Sequence, residues 1–203
     1  MAMAHDERAD LADFLETLSP QQWQEPSLCL GWTVRDVVAH MISYEEHSTP
    51  DLLKRVVRTR FRPWHLNEVA LADYAHLEPA ALLEFLRAHL DPCGATARFG
   101  GRVGLVDALI HHQDIRRPLG FLRTAPPERL RYALPFAVTA PPLRGFWKAR
   151  GVRLIATDLD WTYGRGPEAR GLGEAVLMTM AGRRGVAQEL SGPGAAILSE
   201  RLG

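Results

Sequence analysis

The sequence predicts a mainly α protein, a helix bundle followed by a small α+β unit, on three observations. Apolar residues recur at helical spacing through most of the chain before Gly151. Short strand-like segments bounded by turn residues occur only after it, in VRLIATD, DWTYG and PEARG. Helices first and strands last points to a bundle with an α+β tail rather than to alternating βαβ units. On this reading the bundle takes residues 1–145 and the α+β unit residues 146–203.

The elements follow in order. Leu11, Phe14, Leu15 and Leu18 give a helix over about 6–18, with Asp and Glu between them on its polar side. Ser19-Pro20 restarts the chain with an N-cap and a proline at a first helical position. Cys29-Leu30-Gly31-Trp32 reads as a loop. Thr33 then caps TVRDVVAHMISYEEH, and Asp36 sits where a capping box wants its carboxylate. Val37, Val38, Met41 and Ile42 are the buried side of that helix. Residues 49–76 read as helical but broken by Pro50 and Pro63, and Pro79–Leu90 as a helix ended by Asp91-Pro92. Gly100-Gly101 leads into a further helix whose periodicity is set by Val103, Val106, Leu109 and Ile110 and which stops at Pro118 and Gly120. Another helix is expected from Pro127 to about Thr139. After the strands, LGEAVLMTMAGR is a helix closed by Gly182, followed by two short helical pieces. No internal repeat or low-complexity segment occurs.

Composition narrows the function classes. The 203 residues carry 24 Lys+Arg against 24 Asp+Glu, so the net charge is zero and the basic excess of a nucleic-acid binder is missing. Cys29 and Cys93 are too few for a disulfide framework, which makes a reducing cytoplasm the expected location. The acidic, amphipathic start does not have the form of a signal peptide, and no apolar run reaches the length of a membrane span.

Chemistry concentrates at three polar residues placed among apolar ones. Asp107 and His111 are four residues apart on one helix, which stacks them on one face. His40 lies mid-helix beside the apolar Val37–Met41 side. Burying a carboxylate or an imidazole alone is expensive, and a divalent cation would compensate both. Bundles build metal sites in this way, from inward side chains on facing helices. Two imidazoles and one carboxylate would leave coordination positions open, as in a catalytic or ligand-binding centre. On spacing alone a hydrogen-bonded core pair stays open beside the metal reading.

CLGWTVRDVVAHM, followed some 70 residues later by DALIHHQDIRRPLG, resembles the mycothiol-dependent maleylpyruvate isomerase family of the DinB-like superfamily, whose members are four-helix bundles. The resemblance implies that His40, Asp107 and His111 are the metal ligands. It extends to IATDLDWTYGRGPEARGLGEAVLMTMAGR, which is similar to the small C-terminal unit these proteins carry, whereas residues 49–100 match nothing specific. The family's usual carboxylate is Glu, and Asp107 is one methylene shorter, enough to shift a metal by about 1 Å or change its identity.

Neighbouring residues receive expectations of their own. Asp114 either orients an imidazole or pairs with Arg117. His112 points about 100° away from His111 and serves the surroundings of the site or faces solvent. His47 is a rival ligand, read as exposed. Tyr44, on the His40 face, is a candidate donor to a bound cofactor, and Arg183, with Arg184, a candidate for binding an anionic group. Cys29 is read as a small buried hydrophobe, with a stabilised thiolate as the other choice. Trp32 is read as a core anchor, and Arg116 and Arg117 as solvent-facing or paired.

The function expected from this resemblance is a divalent-metal-binding, mycothiol-dependent isomerase or thiol transferase. The metal, zinc with nickel or iron(II) as alternatives, activates a low-molecular-weight thiol toward an electrophilic substrate. Mycothiol is the expected cosubstrate, no nucleic-acid or membrane partner is expected, and a homodimer is left open. A non-enzymatic metal-binding stress protein and a metal-dependent hydrolase on the same bundle are the alternatives, since one fold hosts several chemistries.

Overall fold

The computed structural model describes residues 1–45, 71–141 and 143–203, and no helix among them is long and apolar enough to cross a membrane. His47 and most of the broken 49–76 segment lie outside the described residues. The described chain forms two compact units, Met1–Leu122 and Arg123–Gly203.

The first unit contains four described helices, α1 (Ala2–Glu16), α2 (Val34–Ile42), α3 (Pro79–Ala88) and α4 (Arg98–Arg116). Both α1 and α2 pack against α3 and α4. Their apolar stripes close on one another: Leu11 and Leu15 from α1, Val37, Val38, Met41 and Ile42 from α2, Leu82 and Leu86 from α3, and Ala108 and Ile115 from α4 are all buried. The expected capping box forms. Thr33 Oγ1 accepts from the Asp36 N–H at 3.2 Å, and Asp36 Oδ2 accepts from the Thr33 N–H at 3.0 Å. A cap of this kind contributes about 1 kcal/mol to the helix that carries His40. At the other end of the unit, Phe99, Gly100 and Gly101 are all left-handed (φ 54°, 68° and 83°), so the regular turns of α4 begin only after the glycine pair.

The second unit holds α5 (Pro127–Thr139), α6 (Gly145–Lys148), β1 (Arg153–Ala156), β2 (Trp161–Gly164), β3 (Glu168–Gly171), α7 (Gly173–Ala181) and α8 (Pro193–Leu202). The sheet order is β2-β1-β3, with β1 antiparallel to β2 and parallel to β3. The sequence places the end of the bundle at 145, whereas the compact units divide after Leu122. The physical reason is that α5 packs on α7, so its apolar face belongs to the core of the second unit.

Gly182 closes α7 as expected. Its left-handed backbone (φ 84°) lets the Arg183 N–H reach the Met178 carbonyl and its own N–H reach Thr179, a Schellman arrangement. Lys148 Nζ adds a bond to the Met180 carbonyl at 3.0 Å. At Gly164, the end of β2, a Cβ would stand 2.3 Å from the Val152 carbonyl oxygen, and φ is +86°, so only glycine fits.

Candidate metal centre

Asp107, His111 and Asp114 share one stripe of α4, at i, i+4 and i+7. His40 comes from the last turn of α2, which packs on α4. The packing brings His40, Asp107 and His111 together, so that one ligand atom of each lies within 4.8 Å of the others. The His40 and His111 rings meet edge to face at 5.0 Å. His40 and His111 are buried, and Asp107 is partly so.

The two nitrogens of His111 face different partners. Nδ1 lies 2.9 Å from Asp114 Oδ2, and Asp114 is fully buried. Nε2 lies 3.5 Å from Asp107 Oδ1. With Nδ1–H donated to Asp114, a neutral His111 turns its Nε2 lone pair toward a carboxylate oxygen. Two acceptors facing each other require a cation between them, either a proton or a metal ion. Asp107 Oδ2 is buried and has no hydrogen-bond partner among the described residues.

The electrostatics express the same demand. Burial opposes the charged form of Asp107, but attraction to His111, then to His40 and Arg8, outweighs it and holds the carboxyl below its usual range. Burial likewise opposes a charged His111. The Asp107 charge, aided by hydrogen bonds to Asp107, Asp114 and Cys29, lifts this imidazole well above its usual value. Two imidazoles and a carboxylate with an unsatisfied oxygen are a donor set that suits zinc and similar divalent ions.

The surroundings refine the expectations from sequence. Asp114 is the carboxylate on His111 Nδ1. Cys29 is half-buried and far from inert: its Sγ donates to Asp114 Oδ2 at 3.2 Å and lies 3.9 Å from His111 Nδ1. Trp32 is partly buried against the core, as expected, and its ring also sits 4.9 Å from that of His40. Tyr44 stands edge to face with His40 at 5.2 Å.

His112 faces neither solvent nor the site. It is fully buried, with Nδ1 2.9 Å from Glu7 Oε1, while Arg116 Nε donates to its Nε2 at 2.8 Å. Arg116 also lies over the Phe14 ring, 3.8 Å from its centroid. Arg183 belongs to the second unit, beside the end of α7, with Nη1 3.5 Å from the Ala181 carbonyl.

A buried ion pair that the sequence reading missed lies in the same unit. Arg8 Nη2 donates to Glu45 Oε1 at 2.5 Å, with both side chains about fully buried. Arg8 and Glu7 sit on α1, where helical periodicity treats charged residues as a solvated face, and nothing in the local sequence signals their distant partners.

Residues 4–98 match the family model described as the mycothiol maleylpyruvate isomerase N-terminal domain. The match takes in His40 and the stretch that offered no specific motif, and it ends before Asp107. Two crystal structures resemble the whole chain. One is a histidine-to-alanine mutant of the mycothiol-dependent maleylpyruvate isomerase, with a TM-score of 0.62 and 17% identity, covering 96% of this chain and 91% of that one. The other is the mycothiol-dependent maleylpyruvate isomerase itself, with a TM-score of 0.56 and 15% identity over the same shares. Among curated proteins no match is found. At these identities the structural likeness is one of fold, mainly helical and DinB-like as the sequence predicts. Over residues 4–98, just under half of its length, the chain is therefore similar to the mycothiol maleylpyruvate isomerase N-terminal domain family.

Proposed function

We propose that the chain is a metal-dependent enzyme that uses a low-molecular-weight thiol, with mycothiol as cosubstrate, to isomerise or transfer onto a small electrophile. His40, Asp107 and His111 would hold the ion, zinc being the best fit to their donor set. What carries this reading is the convergence on one point of the Asp107 carboxylate and His111 Nε2, with His40 beside them. When bound, a divalent metal lowers the pKa of a thiol so that the thiolate forms near neutral pH.

The chain's own residues do the rest. Asp114 fixes the direction of the His111 ring, as carboxylates behind metal-bound imidazoles do. Tyr44, against the His40 ring, is the donor we assign to the bound thiol. Arg183 is a proposed partner for an anionic group on the chemistry of a guanidinium alone. The reaction needs no separate base, because the thiolate is the nucleophile. A cytoplasmic enzyme that meets a reduced thiol pool is consistent with two cysteines that form no disulfide.

The test is metal content by mass spectrometry, followed by cobalt replacement, thiol addition and turnover of maleylpyruvate with mycothiol. About one ion per chain, lost in His40→Ala and in His111→Ala, is expected, with a cobalt spectrum that changes on adding thiol. A folded protein that takes up no metal on reconstitution overturns the reading. Metal with neither thiol response nor turnover leaves a centre without the proposed activity.

A further inference from the structure

Resting on the metal-centre reading and extending it, we infer that Cys29 is a positioning residue of that centre: its thiol holds the Asp114 carboxylate that orients His111. Sγ and His111 Nδ1 approach the same oxygen, Asp114 Oδ2, at 3.2 and 2.9 Å. A carboxylate turns easily about its terminal torsion. A second donor on the oxygen that receives Nδ1–H narrows that freedom, and with it the angle at which His111 presents Nε2 to Asp107.

The thiol is delivered by a fixed loop. The Leu28 N–H donates to the Asp114 carbonyl at 3.0 Å, and the Cys29 N–H donates to Ser27 Oγ at 3.1 Å. The Trp32 N–H closes a turn onto the Cys29 carbonyl at 2.9 Å, with Gly31 left-handed at φ 78°. The loop is thus tied to the α4 residue it serves, and Thr33 starts α2, the helix of His40, directly after it. Cys29, His111 and Asp114 also lie close enough to hold an ion themselves. While Nδ1–H is donated to Asp114, however, that nitrogen has no lone pair to offer there. The geometry assigns the thiol the role of donor, not ligand.

The test uses the full chain loaded with cobalt. Affinity is measured by chelator competition, and the visible spectrum reports ligand geometry, for wild type, Cys29→Ala, Asp114→Ala and the double variant. Cys29→Ala is expected to weaken cobalt binding by about 10-fold, toward the lower end of the loss known for partners behind metal ligands, and to shift the d–d bands. The double variant is expected to bind no more weakly than Asp114→Ala, since the thiol acts through that carboxylate. Cys29→Ser, which keeps a donor, should recover part of the loss. If the alanine variant does not fold, Cys29→Val, which fills the space but has no donor, gives the same cycle with Asp114→Asn.

A Cys29→Ala protein with wild-type affinity and spectrum overturns the inference, as do additive losses in the double variant. A sulfur-to-cobalt charge-transfer band in wild type that disappears in Cys29→Ala overturns it too, making the thiol a ligand. Wild type that binds no cobalt overturns the metal-centre reading itself, and the role of Cys29 with it.

Discussion

Replacing Arg8 by Met removes one half of a buried ion pair while roughly conserving the side chain's bulk. Arg8 Nη2 donates to Glu45 Oε1 at 2.5 Å and Nη1 to the His89 carbonyl at 2.8 Å. Glu45 also accepts from Thr96 Oγ1 at 2.6 Å and from the Cys93 N–H at 2.8 Å. The variant therefore leaves a buried carboxylate held by neutral donors without its cation. Breaking such a pair from one side costs about 3–5 kcal/mol, a large share of the roughly 5–15 kcal/mol that holds a domain folded. With a urea m-value of about 2 kcal/mol/M, the unfolding midpoint should fall by about 1.5–2.5 M. Urea unfolding of the metal-free protein, followed through Trp23 and Trp32 of the first unit, reads this out. Arg8→Met combined with Glu45→Met should recover part of the loss, because the stranded charge is then gone. A midpoint lowered by less than about 0.5 M would refute the claim that the pair is dry and strongly coupled.

Two further outcomes follow from the other buried polar groups. Lys148 Nζ donates to the Leu143 and Met180 carbonyls, yet burial, then the charges of Arg183 and Arg144, lower its pKa from 10.5 to about 8. Between those values the unfolded chain binds a proton that the folded one has released, so Lys148 makes stability rise with pH from about 8 to 10.5. The stability of wild type minus that of Lys148→Met, measured by denaturant titration across this window, should increase with pH, and a flat or falling difference counts against the assignment. His112→Ala should keep its metal, because the imidazole belongs to Glu7 and Arg116. It should also lose about 1.5–3 kcal/mol of stability through the lost bond to a charged group. Metal loss in that variant, with the fold intact, would make His112 a ligand.

Local rules made much of this protein legible in its sequence. Thr33 and Asp36 announce a capping box because both partners lie within one turn, and Gly182 announces a helix stop because only glycine takes that backbone cheaply. The spacing of Asp107 and His111 puts them on one face before any packing is known. The three strands of the tail are legible from the turn residues that bound them.

Packing decided what periodicity could not. The boundary between the units moved to Leu122 because α5 buries its apolar face on α7, a choice that a helix's own pattern does not encode. Cys29 lies 85 residues from Asp114, and Arg8 lies 37 from Glu45. Helical patterning sends Glu7 and Arg8 to solvent because a lone charge is costly to bury, and it is blind to a distant partner that repays the cost. The sequence singles out His40 through its place on an apolar helix side and through the family resemblance, but its approach to Asp107 and His111 arises only where α2 meets α4. The sequence by itself determined the helices, their ends and the i, i+4 pair, all of which rest on contacts within a turn or two. The tertiary structure alone decided which polar groups share the interior, because that depends on contacts between residues far apart in the chain.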